Sequence, residues 1–398
     1  MLAPVALVAD DFERVHRGQF SLPDRCRMQV YNPPDRANPR PASRWAFTCE
    51  GRATSMAHKR LKFLGVAAAV LMVAMACGGS PSGGGGTKQY KIGLVTDIGG
   101  LNDKSFNHLA YVGLEKAKSD FGIVDSVTES HSGNDYVPNL TSFASKNYDL
   151  VIGVGFLMQE AVGTVSGTFP NIHFAIIDGA GTDSTGKDLQ HTNVQSLFFK
   201  EQDAGAMVGV ISGMLEKQGK AKKNKGVISA VGGVSIPPVN HYIAGYKWAA
   251  TMEDPGIKVE VGYSNDFTDP AKCQGVAKGQ INDGSDILFQ VAGGCGLGVL
   301  QAAGQAGLYS IGVDADQKAA DPSVIASALK KVDVATYTAI QNVVKGQFKS
   351  GALTFSIAND GAGYAVDNLT LPADIQAELK TVQDKIKAGT LTPPADIP

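Results

Sequence analysis

The run Asp97-Ile-Gly-Gly-Leu-Asn-Asp-Lys-Ser-Phe-Asn107 combines groups suited to gripping a small polar molecule. Gly99 and Gly100 permit a tight turn and close approach of backbone to a ligand. Asp103 or Ser105 can cap the helix expected next, leaving free amides at its N-terminus. Phe106, at a polar helix start, suits stacking on a planar ligand better than core packing. An ordinary strand-to-helix turn whose polar residues only cap would use the same residues. Similar groups follow other apolar runs: Gly155-Phe156, Asp178, Gly232-Gly233, Asn265 to Phe267, Gly293 to Gly296, and Asp314. Carboxylates, glycines and aromatics suit an uncharged, hydroxyl-rich or aromatic ligand. A multiply phosphorylated ligand would call for basic residues, and these positions hold almost none.

Other chemistries find little support. Gly294-Cys-Gly296-Leu-Gly298 resembles a dinucleotide fingerprint, but its third glycine comes one position early. The seven histidines are scattered, with no HxxxH and no paired-cysteine spacing, so no metal site is argued. No Ser/His/Asp or Cys/His arrangement stands out, and no cofactor is expected.

These residues need elements to hold them. Short apolar runs at Lys91–Thr96, Leu150–Gly155, His173–Asp178, Gly226–Val231, Lys258–Tyr263, Asp286–Ala292 and Leu308–Val313 read as strands. Amphipathic segments lie between them: Ser105–Phe121, Met158–Thr168, Glu201–Gln218, Val239–Met252, Pro270–Asn282 and Gly298–Ala306. The alternation predicts an α/β chain with parallel sheets covered by helices on both faces. Two such units are expected, with a seam near Asn193–Lys200. Val324–Lys345 reads as a helix linking them again, followed by a strand at Leu353–Ile357 and a helix at Pro372–Ala388. Ligands of open parallel sheets bind beyond the carboxyl ends of the strands, where the carboxylates and glycines above fall.

The N-terminal part differs in kind. Residues 1–55 hold eight Arg, no Lys and no apolar period, so the segment is expected to be disordered. It is either a gene-start artefact, with translation beginning at Met56, or a cytoplasmic extension. Met56–Ser80 reads as a lipoprotein export signal, with a cationic start at His58, Lys59, Arg60 and Lys62 and an apolar run from Phe63 to Ala76. As a helix that run would reach roughly 21 Å, too short for a ~30 Å hydrocarbon core. Val73-Ala74-Met75-Ala76 then leads into Cys77, the expected site of lipid (palmitate among the acyl groups), although Met75 is larger than the residue usual there. The glycine-rich stretch after Cys77 reads as a flexible tether, over residues 77–89. The protein is therefore expected on the outer face of a cell membrane, held by lipid.

From Cys77 on there are 25 Lys against 32 Asp plus Glu, a net charge of −7, which argues against nucleic acid or an anionic membrane surface as a direct partner. Cys273 and Cys295 remain as an even pair in an oxidising compartment, expected as a disulfide, with two separate buried thiols the alternative.

The Asp97–Asn107 segment resembles the signature of the basic membrane protein family, the purine nucleoside receptor A-like binding lipoproteins of ABC transporters. Gly153-Val-Gly-Phe156, Phe174-Ala-Ile-Ile-Asp178, Gly232-Gly-Val-Ser-Ile-Pro-Pro238, Ile311-Gly-Val-Asp-Ala-Asp-Gln317 and Ser327-Ala-Leu-Lys-Lys-Val-Asp333 match in order, so the resemblance spans Lys91 to Asn368. It implies a periplasmic-binding-protein type I fold: two Rossmann-like lobes with parallel sheets, joined by a three-stranded hinge, with the ligand between them. The expected division is residues 90–197 in lobe 1 and 198–323 in lobe 2, with 324–398 shared. The resemblance also implies a nucleoside, foremost a purine, as ligand. Asp97 and Asp314 would accept from ribose hydroxyls, and Lys330 (or Lys331, one residue on) would donate to the sugar. Phe106 and Phe267 would sandwich the base, while Asn107 and Asp178 read its edge. A monomeric, non-enzymatic receptor delivering to ABC permease subunits is implied. A sugar-binding or signalling lipoprotein on the same fold, or an exported nucleoside hydrolase, are the alternatives.

Overall fold

A computed structural model describes residues 26–31, 44–49 and 88–398. The export signal at 56–76, Cys77 and nearly all of the tether lie outside the described residues. Within 1–55, expected to be without structure, β1 (Cys26–Tyr31) and β2 (Arg44–Cys49) pair antiparallel, with Cys26 opposite Cys49. Both are short runs containing aromatic residues, the composition that favours strands.

From residue 88 the chain builds two six-stranded sheets. The first takes β3 (Lys91–Thr96), β4 (Val124–Thr128), β5 (Leu150–Val154), β6 (His173–Ile177) and β7 (Val194–Phe199), interleaved with α1 (Phe106–Phe121), α2 (Tyr136–Ala144) and α3 (Gln159–Thr168). After α4 (Glu201–Lys217), the second takes β8 (Val227–Gly232), β9 (Lys258–Tyr263), β10 (Ile287–Val291), β11 (Tyr309–Asp314) and β12 (Val324–Lys330). Its helices are α5 (Pro237–Glu253), α6 (Pro270–Asn282) and α7 (Leu297–Gln305). The chain then returns through α8 (Val332–Val344) to add β13 (Gly351–Phe355) to the first sheet, crosses back to add β14 (Ala362–Val366) to the second, and ends in α9 (Ala373–Lys387). The strand orders are β13-β7-β6-β5-β3-β4 and β14-β12-β11-β10-β8-β9, all parallel except β14. The lobes are thus joined by three crossings, at Lys200, at Lys331 and between β13 and β14. These run side by side: Lys200 N donates to Phe355 O at 2.8 Å and Lys331 N to Gly361 O at 3.0 Å.

Each sheet carries apolar side chains on both faces, so separate clusters form above and below it. β5 and β10 are buried at all five positions, the mark of a strand covered on both sides. One expectation is corrected. Residues 324–330 do not belong to a helix: they form the second sheet's β12, and α8 starts only at Val332. Val-Ile-Ala-Ser-Ala-Leu-Lys is short and apolar, a pattern that periodicity alone cannot divide between strand and buried helix. The segment read as a seam at 193–200 is mostly β7, and the crossing comes at its end. Cys273 and Cys295 are joined by a disulfide with Cα atoms 5.6 Å apart, tying α6 to the loop after β10.

In the second lobe α4 and α5 pack backbone to backbone. Gly205, Gly209 and Gly213 recur every four residues on α4 and so share one face. A Cβ at these positions would lie 2.1 Å from Tyr242 O, 2.4 Å from Tyr246 O and 2.7 Å from Ala250 O. Gly245 of α5 answers from the other side, 2.1 Å from Gln202 O. This contact sets where α5, and with it Tyr242, stands. Gly209→Ala is expected to force the helices apart and lower stability by about 1–3 kcal/mol, read as a lower midpoint in urea unfolding.

Candidate functional site

Both sheets have a switch point where consecutive strands leave in opposite directions, between β3 and β5 in the first and between β8 and β10 in the second. Open α/β sheets bind ligands at such points. Here the two points face a single cleft, lined by Asp97 and Gly155 from one lobe and by Val291 and Gly293 from the other. Asp97, Phe106, Asn107, Asp178, Phe267, Asp314 and Lys330 all line it. Lys331 does not.

The first lobe's wall is built from the Asp97 turn. Asp97 Oδ1 accepts from Gly99 N and from Asn107 Nδ2, each at 2.9 Å. Gly155 must lack a side chain, because a Cβ there would stand 2.6 Å from Asp97 Oδ2. The helix start is capped by Asp103, which accepts from the amides of Ser105 (3.0 Å), Asn107 (2.7 Å) and His108 (3.1 Å). Those amides are therefore spent on the cap. Ser105 is released for another use: its hydroxyl donates across the cleft to Asp314 Oδ2 at 2.8 Å. Burial pushes the Asp97 carboxyl up to about 6 against the pull of its hydrogen bonds.

The hinge supplies the buried cation. Lys330 ends β12, with Nζ 2.6 Å from Asp178 Oδ2 and 2.9 Å from Glu201 Oε1. The rings of Phe199, Phe106 and Tyr242 surround it, their centroids 4.8, 5.1 and 5.9 Å from Nζ. Burial works against its charge, yet Asp178, Glu201 and Asp314 outweigh that and hold its pKa above the ordinary lysine value. One ammonium cannot fully compensate two buried carboxylates. Burial raises Glu201 too, but Lys330 and the bond to His241 Nδ1 (2.9 Å) overcome it, so Glu201 is the more strongly ionised of the pair. Asp178 is pushed up by burial more than Lys330 pulls it down.

The second lobe contributes Asp314 at the end of β11, whose Oδ1 accepts from Tyr242 OH at 3.0 Å. Asp178 and Asp314 both adopt left-handed backbone, with φ of 68° and 60°, immediately after or at the last residue of a strand. Such conformations cost about 1–3 kcal/mol each and concentrate where a side chain must be aimed. Phe267 lies on the loop after β9. A Cβ on Gly233 would fall 2.4 Å from its ring, and Cys295 N donates to its carbonyl at 2.9 Å. The disulfide thus steadies the loop that presents this ring.

Asp103, Tyr242, Glu201 and His241 were not singled out as site residues by the sequence. Tyr242 and His241 lie mid-helix, where nothing in the pattern separates them from core positions, and Glu201 reads as a first-turn acid. Among the described residues no cluster of His, Cys, Asp and Glu could hold a metal ion. The cleft can hold and orient a molecule with hydroxyls and a flat ring. Because Asp97 takes up a proton more readily folded than unfolded, its contribution to stability is present below about pH 4 and lost as pH rises through about 6. Urea midpoints at about pH 5 and pH 7.5 are expected to fall with rising pH less in Asp97→Asn than in the wild type.

Comparison with known proteins gives this cleft its context. The chain is 35% identical over 316 residues to an uncharacterized lipoprotein of Pyrococcus furiosus, covering 76% of each. It is 27% identical over 328 residues to the ABC transporter nucleoside-binding protein BmpA of Lactococcus lactis, covering 77% of this chain and 89% of that protein. A crystal structure of an ABC transporter solute-binding protein from Aeropyrum pernix superposes with a TM-score of 0.70 at 26% identity, over 77% of this chain and 94% of that one. The family model described as ABC transporter substrate-binding protein PnrA-like, Bmp, matches residues 91–394. The chain belongs to this Bmp family of ABC transporter substrate-binding proteins, which bind a small ligand, work with permease subunits and are not enzymes.

Proposed function

We propose that this chain captures a nucleoside, foremost a purine nucleoside, between its lobes and passes it to an ABC import permease. The observation that carries the reading is the pairing of Phe106 and Phe267, one from each lobe, on a cleft otherwise rimmed by strand-end carboxylates. Two aromatic rings suit a flat base, and carboxylates such as Asp97 suit vicinal hydroxyls because charge-assisted hydrogen bonds are the stronger kind. The printed name of the Lactococcus lactis relative, a nucleoside-binding protein, supports it. Closure follows from contacts made to both lobes at once, which favour the closed state.

Lipid on Cys77 completes the proposal, placing the receptor on the outer face of a membrane. The signal-like sequence before Cys77 and the lipoprotein relative of Pyrococcus furiosus support it. No helix among the described residues is long and apolar enough to cross a membrane.

Thermal unfolding of the purified protein with guanosine, inosine, adenosine, cytidine, free ribose and glucose tests the ligand. A ligand at ~100 times its Kd adds about 2.7 kcal/mol to the folded state, a rise of several degrees in Tm. A shift with nucleosides but not with sugars is expected; a shift with a sugar alone would overturn the nucleoside. Phe106→Ala is expected to weaken nucleoside binding by roughly 1–3 kcal/mol in titration calorimetry.

A further inference from the structure

Glu201 and His241 stand behind the cleft: neither lines it, yet a continuous line of bonds runs from them to its wall. Lys330 Nζ donates to Asp178 Oδ2 at 2.6 Å and to Glu201 Oε1 at 2.9 Å, and His241 Nδ1 lies 2.9 Å from Glu201 Oε2. The His241 side chain is 29% exposed and that of Glu201 only 2%, so the line begins at the surface and ends at the ligand site. Against the effect of burial, Lys330 keeps Glu201 ionised. A carboxylate only accepts, so the hydrogen of the His241 bond sits on Nδ1. The backbone around this pair is tightly fixed. A Cβ on Gly205 would lie 2.1 Å from Tyr242 O, and one on Gly245 2.1 Å from Gln202 O. The segments next to Glu201 and His241 are therefore in contact and cannot slide to remake a lost bond.

We infer that His241 is a positioning residue for ligand binding: without touching the ligand it fixes Glu201, which in turn fixes the Lys330 ammonium against Asp178. Each oxygen of Glu201 has one donor, Lys330 for Oε1 and His241 for Oε2. Without the imidazole N–H, Oε2 becomes a buried acceptor with no donor, which is unfavourable. The carboxylate relieves this by turning toward the ammonium or by taking up a proton. Turning draws Nζ away from Asp178, and protonation removes one of the two charges that hold Nζ in place. Either way the ammonium shifts relative to Asp178, a residue of the cleft wall. The inference rests on the nucleoside reading above only for the ligand used to test it.

The test compares wild type with His241→Leu and His241→Asn. Leucine fills the place without a donor, whereas asparagine presents an amide N–H close to where Nδ1 stands. In titration calorimetry with guanosine, inosine and adenosine, His241→Leu is expected to weaken binding of the tightest of them by about tenfold or more, and His241→Asn by no more than about threefold. Nitrogen NMR of the ligand-free proteins gives a readout that needs no ligand. The wild-type His241 ring is expected to carry a hydrogen on Nδ1, and the Lys330 ammonium signal to move in His241→Leu but little in His241→Asn. Affinity within about threefold of wild type in a His241→Leu protein that melts cooperatively would overturn the inference and leave the nucleoside reading standing. An equal loss in both variants would also overturn it, because a restored donor without effect marks ordinary packing. So would a wild-type Nδ1 without hydrogen, and that measurement decides alone if His241→Leu does not fold. Absence of binding by wild type to all three nucleosides would overturn the nucleoside reading; the Lys330 signal then decides the role of His241, and an unmoved signal in His241→Leu refutes it.

Discussion

The ammonium of Lys330 is the group on which the rest of this cleft depends. It sits at the end of β12, one residue before the chain crosses from the second lobe to the first. Its partners come from two other places: Asp178 beyond the end of β6, and Glu201 at the start of α4, beside the first crossing. A single buried charge thus ties two of the three hinge segments to the floor of the ligand site. Taking an ammonium and two carboxylates out of water costs several kcal/mol per ion, which only close, well-directed contacts recover. The arrangement is therefore intolerant of displacement. If a crossing moves, the ammonium loses a partner, and a carboxylate is left buried and unpaired. The aromatic rings of Phe106, Phe199 and Tyr242 exclude water from it and give their faces to the cation.

The same economy of side chains runs through the first-lobe wall. Asp103 takes the amides at the start of α1, which frees the Ser105 hydroxyl to cross to Asp314 and leaves the Asn107 side chain to brace Asp97. Ser105 and Asp314 belong to different lobes, so their hydrogen bond exists only when the cleft is closed. Its net worth is about 1 kcal/mol, small beside the desolvation of the carboxylates that closure buries. A ligand that bonds those carboxylates offsets that cost, which is how binding and closure become one event.

Most of the sheet framework was legible from the sequence, because strands buried on both faces are short unbroken Val/Ile runs bounded by Gly or Asp. β3 and β9 fall at their expected residues, and β5, β6, β8, β10 and β11 within a residue or two. The misses have separate causes. β4 has Asp125, Ser126 and Thr128 and lies at the sheet's edge, so its apolar content is low. β12 is apolar but runs directly into α8, and the two together imitate one long helix. β14 pairs antiparallel at an edge and is only partly buried. The seven residues expected at the site all line the cleft; six of them adjoin strand ends or the first helix and share motifs with the Bmp family, and Phe267 came from a looser motif on a loop. Tyr242, His241 and Glu201 were not legible, because their roles depend on how α4 packs against α5, a tertiary contact written only as a four-residue glycine spacing.

The charge in the cleft restricts what can enter it. Asp97, Asp103, Asp178 and Asp314 line the cleft together with one ammonium, that of Lys330, which Asp178 and Glu201 already hold. Raising several of these carboxyls above their ordinary range, as burial does for Asp97, Asp103, Asp178 and Asp314, already relieves part of an excess of negative charge. A phosphate brought into this space would add a charge of about −1.5 to −2 with no uncommitted cation to meet it. Hydroxyls and N–H groups carry no such penalty. A phosphorylated ligand would therefore meet an electrostatic cost in this cleft before shape is considered.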